Sequence, residues 1–171
     1  MLSKKVLAAL NKQINAEIYS SYLYLSMAAY TKSLGLDGFE NWFKVQAQEE
    51  LVHAMKFFDY VNERGGRVTL AAIDGPPVSW KSPLEVLEAT LKHEQHVTAL
   101  INALVDLALS ESDHATSNTL QWFVAEQVEE EASADAIRQK LALVGDKGNA
   151  LYMIDRELAT RVFTPPAAPQ E

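Results

Sequence analysis

The glycines and prolines of this chain are bunched, and the bunching leaves four long stretches almost free of helix breakers. Gly35 with Gly38 forms one break, Gly65-Gly66 a second, Gly75-Pro76-Pro77 a third and Gly145 with Gly148 a fourth, while Pro165-Pro166 opens the C-terminal stretch. Between breaks, apolar residues recur at helical spacing. The first predicted helix runs from a Ser3 cap to about Leu34, with Leu10, Ile14, Glu17, Ser21, Tyr24 and Ala28 on its inner stripe. Asp37-Gly38-Phe39-Glu40 reads as a cap with Glu three residues on, so a second helix starts there and stops at Gly65. Ser82-Pro83-Leu84-Glu85 joins a Ser cap, a Pro at the first helical position and a Glu three residues after the cap. The third helix then carries Leu84, Leu87, Leu91, Glu94, Thr98, Ile101 and Val105 on one face. Ser112 or Asp113 caps a fourth, whose face is Leu120, Phe123, Gln127, Glu130, Ala134, Ile137 and Leu141 and whose end is Gly145. A short fifth helix, from about Lys147 to Arg161, carries Leu151, Ile154, Leu158 and Val162.

Short turns between the first and second, and the third and fourth, segments make two antiparallel hairpins. The connection from Gly66 to Lys81 is long enough to travel the length of a bundle. A loop of that length inside a compact domain needs such a topological task. The expected fold class is therefore all-α, a four-helix bundle with one long crossover between the second and third helices plus a short C-terminal helix. Residues 1–163 form one domain in this reading, and 164–171, rich in Pro and Ala, form a loose tail.

Charge and composition narrow the function. The formal charge is −8, from 23 acidic and 15 basic residues, which disfavours nucleic acid and anionic membranes as partners and suits cations. With no cysteine, thiolate zinc sites, iron–sulfur clusters, disulfides and Cys nucleophiles drop out. The N-terminus does not read as a signal peptide, and no apolar run approaches the ~20 residues of a membrane span, so a cytoplasmic protein is expected.

One short stretch then asks for a chemical reason. Glu50 and His53 lie three residues apart, on the face of the second helix that also carries Phe43, Ala47, Ala54, Phe57 and Val61. A carboxylate and an imidazole in an apolar stripe need a metal, a charge partner or a catalytic task, because an unpaired buried charge is very costly. The other half of the chain repeats the pattern. A shift of 77 residues carries Glu17 onto Glu94, Glu49 onto Glu126, Glu50 onto Gln127 and His53 onto Glu130. Within each half, 33 residues separate the lone Glu from the cluster, which places both at one depth of a hairpin. Any one Glu on a helix is ordinarily a solvated surface residue, and Tyr24 and Trp122 taken singly are ordinary packing residues. Four helices that each interrupt an apolar stripe at one level are a different matter. Uncompensated, such carboxylates repel one another and take up protons, and two divalent cations neutralise them. Carboxylates with a single imidazole suit iron or manganese, with zinc as a competitor. Glu50 and Glu130 are each placed to bridge or flank two ions.

The sequence resembles the prokaryotic non-haem ferritins. The resemblance is carried by Asn15-Ala16-Glu17-Ile18-Tyr19, Tyr24-Leu25-Ser26-Met27, Gln48-Glu49-Glu50 with His53-Ala54-Met55-Lys56, Glu63-Arg64-Gly65-Gly66 and Glu126-Gln127-Val128-Glu129-Glu130-Glu131, and covers essentially the whole chain. Gln127-x-x-Glu130 stands where bacterioferritins carry a second Glu-x-x-His. The resemblance implies a ferroxidase and iron-storage protein using iron and dioxygen. Glu17, Glu50 and His53 would hold a first iron and Glu50, Glu94 and Glu130 a second, with Glu50 bridging and Gln127 beside the pair. It further implies a third iron site at Glu49, Glu126, Glu129 and Glu130, Tyr24 as an electron donor, and a hollow homo-oligomer of 24 subunits. Leu51 stands where bacterioferritins carry their haem-binding Met, so no haem is expected.

Two other classes fit less of the pattern. One is a di-iron oxidase or peroxidase of the same fold that never stores iron; the other is a helical scaffold without chemistry. Leu151, Tyr152, Ile154 and Leu158 either cap the bundle or line a subunit junction, and His93, His96 and His114 read as surface residues.

Overall fold

A computed structural model describes residues 2–145 and 148–164. Five helices follow one another: α1 (Lys4–Ser33), α2 (Asp37–Glu63), α3 (Pro83–Ser110), α4 (His114–Val144) and α5 (Gly148–Leu158), with no strand among the described residues. α1 packs along α2 and α3 along α4, while α1 also touches α3, and α5 lies against α2 and α4. The expected all-α bundle is thus the observed one. Residues 165–171 of the expected tail, and Lys147 at the expected start of the fifth helix, lie outside the described residues.

The long connection is a strap. Arg67 and Thr69 bond to the Asn11 side chain near the start of α1. Further on, Ser26 donates to the Pro77 carbonyl at 2.5 Å, and Tyr30 to the Trp80 carbonyl at 2.5 Å. At 1.5 Å per residue, the run from Asn11 to Tyr30 is about 28 Å of helix. The strap therefore returns the chain to the end where α2 began, and α3 starts parallel to α2.

Start and stop signals act largely as their chemistry requires. Ser3 Oγ accepts from the Val6 N–H, Ser82 Oγ from Glu85 N–H, and Asp113 rather than Ser112 caps α4 by accepting from Thr116 N–H. Gly145 ends α4 at φ 78°, a left-handed conformation that costs glycine little. α2 departs from expectation. Asp37 is its first helical residue, not its cap, and Leu36 at the cap position has no side-chain acceptor. The acceptor comes from α5: Asp155 Oδ1 takes the N–H groups of Gly38 and Phe39 at 2.8 and 3.1 Å. Gly38 is glycine because a Cβ there would lie 1.6 Å from the Asp155 carbonyl oxygen.

The predicted inner stripes of α1 and α4 are buried throughout. That of α3 is rotated. Val86, Leu87, Thr90, Glu94, Val97, Ile101 and Leu104 are buried, whereas Leu84, Leu91, Thr98 and Val105 are half-buried. α3 is apolar around much of its girth, so period alone does not choose between neighbouring faces. In α5, Ile154 and Leu158 join the core at the bundle's end, but Tyr152 and the more distal Val162 are exposed. The first pair therefore caps the bundle, and Tyr152 does not.

The apolar core has two halves. One gathers residues such as Leu23, Met27, Phe39, Phe43, Leu87 and Leu141. The other gathers Leu10, Ile14, Phe57, Val97, Ile101 and Phe123. Every long helix crosses from one half to the other, and at each crossing it carries a buried acid: Glu17, Glu50, Glu94 or Glu130. Among the described residues no helix is long and apolar enough to cross a membrane.

Replacing Asp155 with Ala strands two buried N–H donors of α2. A loss of about 1–2 kcal/mol is expected, with Asp155→Asn losing less. Chemical denaturation of the metal-free protein measures it.

Candidate metal centre

Between the two apolar halves lies a polar layer. Glu17, Glu50, His53, Glu94, Gln127 and Glu130 are all buried there. The repeated register explains the meeting: α1 and α3 each send in one acid, and α2 and α4 each send in a pair three residues apart. α2 and α4 meet through long side chains. Phe57 stacks on Phe123 with centroids 4.0 Å apart, and His53 lies edge-on to Trp122.

Two groups of side chains bring ligand atoms within 4.8 Å of one another: Glu17 with Glu50 and His53, and His53 with Glu126 and Glu130. His53 belongs to both, its Nδ1 3.4 Å from Glu50 Oε2 and its Nε2 4.0 Å from Glu126 Oε1. The first group is the trio predicted for one ion. The second differs from the predicted Glu50–Glu94–Glu130 set. Glu94 is buried at the same layer, but its carboxylate is engaged: Tyr24 O–H donates to Oε1, and Gln127 Nε2 donates to Oε2 at 3.2 Å. Tyr24 and Gln127 therefore both bear on Glu94. Of the outer acids, Glu126 and Glu49 are partly buried and Glu129 is exposed. Glu129 falls in neither group.

Two further residues hold the acids in place. Gln13 Nε2 donates to Glu17 Oε1 at 2.8 Å, and Gln46 Nε2 to Glu130 Oε2 at 2.8 Å. Both glutamines are buried. Their signal was in the sequence, because Gln13 and Gln46 stand four residues before Glu17 and Glu50 and repeat the same spacing of 33. The other oxygen of Glu17 is buried and finds no hydrogen-bond partner among the described residues. A buried carboxylate with one free lone-pair face suits a cation. His93 is also not a surface residue: its Nε2 lies 2.8 Å from Ser20 Oγ, and its ring packs against Tyr24 and Tyr19. Burial, with His96 nearby, pulls it down to about 4, so it is neutral at physiological pH. His96 and His114 are exposed as expected.

Electrostatics favour a cation at this layer. Burial raises Glu17, Glu50, Glu94 and Glu130 above the ordinary value of 4.5, and neighbouring acids add to the rise at each. Without metal, the layer therefore resolves its repulsion by holding protons.

The fold and the layer together define a helical-bundle protein whose carboxylate and imidazole groups can hold metal. Comparison with known proteins specifies the class further. A profile described as "Ferritin-like domain" matches residues 7–144. A Bacteroides fragilis protein named bacterial non-heme ferritin is 47% identical over 161 residues, spanning 94% of this chain and 100% of the relative. A Staphylococcus aureus protein of the same name is 41% identical over 163 residues, 95% of this chain and 98% of its own. A solved structure of an open-pore ferritin from the archaeon Archaeoglobus fulgidus superposes with a TM-score of 0.94 at 58% identity, covering 95% of this chain and all of that one. An engineered closed form of that ferritin gives 0.95 at 58% identity over 96% of this chain and 100% of its own. The chain belongs to the ferritin family.

The raised acids set the sign of the pH dependence. Such groups stabilise the fold fully below about 4.5, and their contribution is lost as pH rises through the elevated folded values. The unfolding midpoint of the metal-free protein is expected to fall as pH is raised above that point. Glu50→Gln or Glu94→Gln should flatten the fall, and a divalent metal should abolish it.

Proposed function

We propose that this protein binds ferrous iron, oxidises it with dioxygen at a paired carboxylate centre and stores the ferric product. The observation that carries the reading is the position of Glu17, Glu50 and His53: three ligand atoms within 4.8 Å, buried between two apolar half-cores. Membership of the ferritin family, with relatives named bacterial non-heme ferritin, supports it. Iron here is the substrate. In this reading Glu17, Glu50 and His53 hold one ion, Glu50, Glu94 and Glu130 the other, and Gln127 steadies Glu94.

The chemistry follows from the donors. Hard anionic oxygens stabilise iron(III) over iron(II), which lowers the potential at which the metal gives up electrons. Each of two ferrous ions loses one electron, and dioxygen accepts the two. Protons held by the buried carboxyls leave as the ions enter, so the layer exchanges one form of neutralisation for another. Two electrons bring dioxygen only to the level of hydrogen peroxide, and its reduction to water takes two more with two protons, one electron from a third ferrous ion and one from a nearby side chain. Tyr24, whose hydroxyl rests on Glu94, is suited to supply the latter. Glu49, Glu126, Glu129 and Glu130 form the third iron site in this reading. Its support is the approach of Glu126 to His53 and Glu130.

The same reading makes residues 1–163 one bundle domain with a tail at 164–171, in a cytoplasmic protein that assembles as a 24-subunit shell. Tyr22 and Leu25 on α1, with Leu51 and Met55 on α2, are each about half exposed in the isolated subunit. Large apolar side chains of this kind suit burial between subunits.

Glu50→Ala and His53→Ala are each expected to slow aerobic iron(II) oxidation by about 100-fold or more, with helix content unchanged. Oxidation at the parental rate in both variants would refute the site. Size-exclusion chromatography with iron quantitation after aerobic loading tests storage. A particle of about 24 subunits that carries many irons per subunit is expected, whereas a monomer or dimer holding only two irons per subunit points to an oxidase.

A further inference from the structure

Glu49 is already engaged by a cation of the protein itself. After α5 the chain folds back on α2, where the Asn41 side-chain amide donates to the carbonyl oxygens of Leu158 and Arg161 at 3.2 and 2.9 Å. The Arg161 guanidinium then lies over the Trp42 ring, 4.9 Å from its centroid. From there Nη2 donates to Glu49 Oε2 at 2.7 Å, and the two side chains are only 26% and 23% exposed. Nη1 is buried and has no hydrogen-bond partner among the described residues. A guanidinium commonly grips a carboxylate through two parallel bonds. This one is held through a single nitrogen, with a second donor group left over beside the acids.

We propose that Arg161 is a built-in counter-cation for the outer carboxylates, which competes with a metal ion for Glu49 and keeps the third ion weakly held. The proposal rests on the reading of Glu49 with Glu126, Glu129 and Glu130 as a third iron site. Its physics is simple competition. A metal ion that takes Glu49 as ligand either displaces the guanidinium or sits beside its positive charge. At a partly buried position that repulsion is little screened by salt. The backbone of the segment is held independently, by Asn41, so Arg161 can yield its carboxylate while the chain stays docked. An ion that binds weakly here moves on. Arg161 thereby biases the outer acids toward passage of iron rather than retention.

The test is anaerobic titration of the assembled protein with cobalt(II) alone, followed by calorimetry. The wild type should bind two ions tightly and a third more weakly. Arg161→Gln, which removes the charge and leaves a neutral amide on a shorter stem, should tighten the third ion about tenfold. Arg161→Lys, which keeps the charge, should leave it weak. Adding Glu49→Gln to Arg161→Gln should remove the gain. A residue that merely pins the C-terminal segment would make Gln and Lys behave alike, and that result overturns the proposal. If the wild type binds a third ion that Arg161→Gln holds no more tightly, the site reading stands and the role of Arg161 fails. If neither protein binds a third ion, the site reading itself fails and the proposal falls with it.

Discussion

Four carboxyl groups buried at one level of a bundle cannot all be ionised unless something positive lies among them. That single constraint shapes the rest of the molecule. It requires four rods rather than three or two, each contributing at the same height. It divides the apolar core into two halves that flank the layer. It also explains the supporting amides, since Gln13 and Gln46 satisfy one oxygen each on Glu17 and Glu130 and thereby orient the remaining lone pairs. A layer of this kind is poor stabilisation on its own. Its worth lies in the affinity it creates for a cation, and the apolar halves on either side supply the stability that the layer withholds.

The path of the chain serves the same end. Two hairpins alone could stack in several ways. The strap from Arg64 to Ser82 is tied to α1 near both of its ends, through Asn11 and through Ser26 and Tyr30, and this makes α3 start where α2 started. With that direction set, a pseudo-twofold relation between hairpins places Glu94 opposite Glu17 and the Gln127–Glu130 pair opposite Glu50–His53. The two halves are nonetheless chemically unequal. One pair carries an imidazole and the other an amide, so the Glu17 side has three candidate ligands in close range while Glu94 is held by Tyr24 and Gln127.

Much of this was legible before any coordinates. The helix count, the crossover, the buried stripes of α1 and α4 and the convergence of the six polar residues all follow from spacing, because a helical period and a fixed offset are properties of the sequence itself. What was not legible depended on partners distant in the chain. The face of α3 is ambiguous by period, since Leu84, Leu91, Thr98 and Val105 are as apolar a stripe as the one the neighbouring helices in fact cover. Asp37 looked like a cap because Asp before a helix usually is one, yet Asp155 does the work. His93 looked like a surface residue because nothing in its local sequence reveals the aromatic rings of Tyr19 and Tyr24 from α1. Arg161 reads as the end of the fifth helix, but α5 stops at Leu158, and the approach of Arg161 to Glu49 depends on how the chain returns beyond that stop.

The cap of α2 has a further implication for how the protein comes into being. Gly38 and its acceptor Asp155 are 117 residues apart. A chain emerging N-terminus first from the ribosome presents the start of its second helix long before the carboxylate that completes it exists. All four long helices can therefore be made before the acceptor that completes the start of α2, and the bundle's end closes only after Asp155 has emerged. A chain halted short of that residue leaves the Gly38 and Phe39 N–H groups without their acceptor.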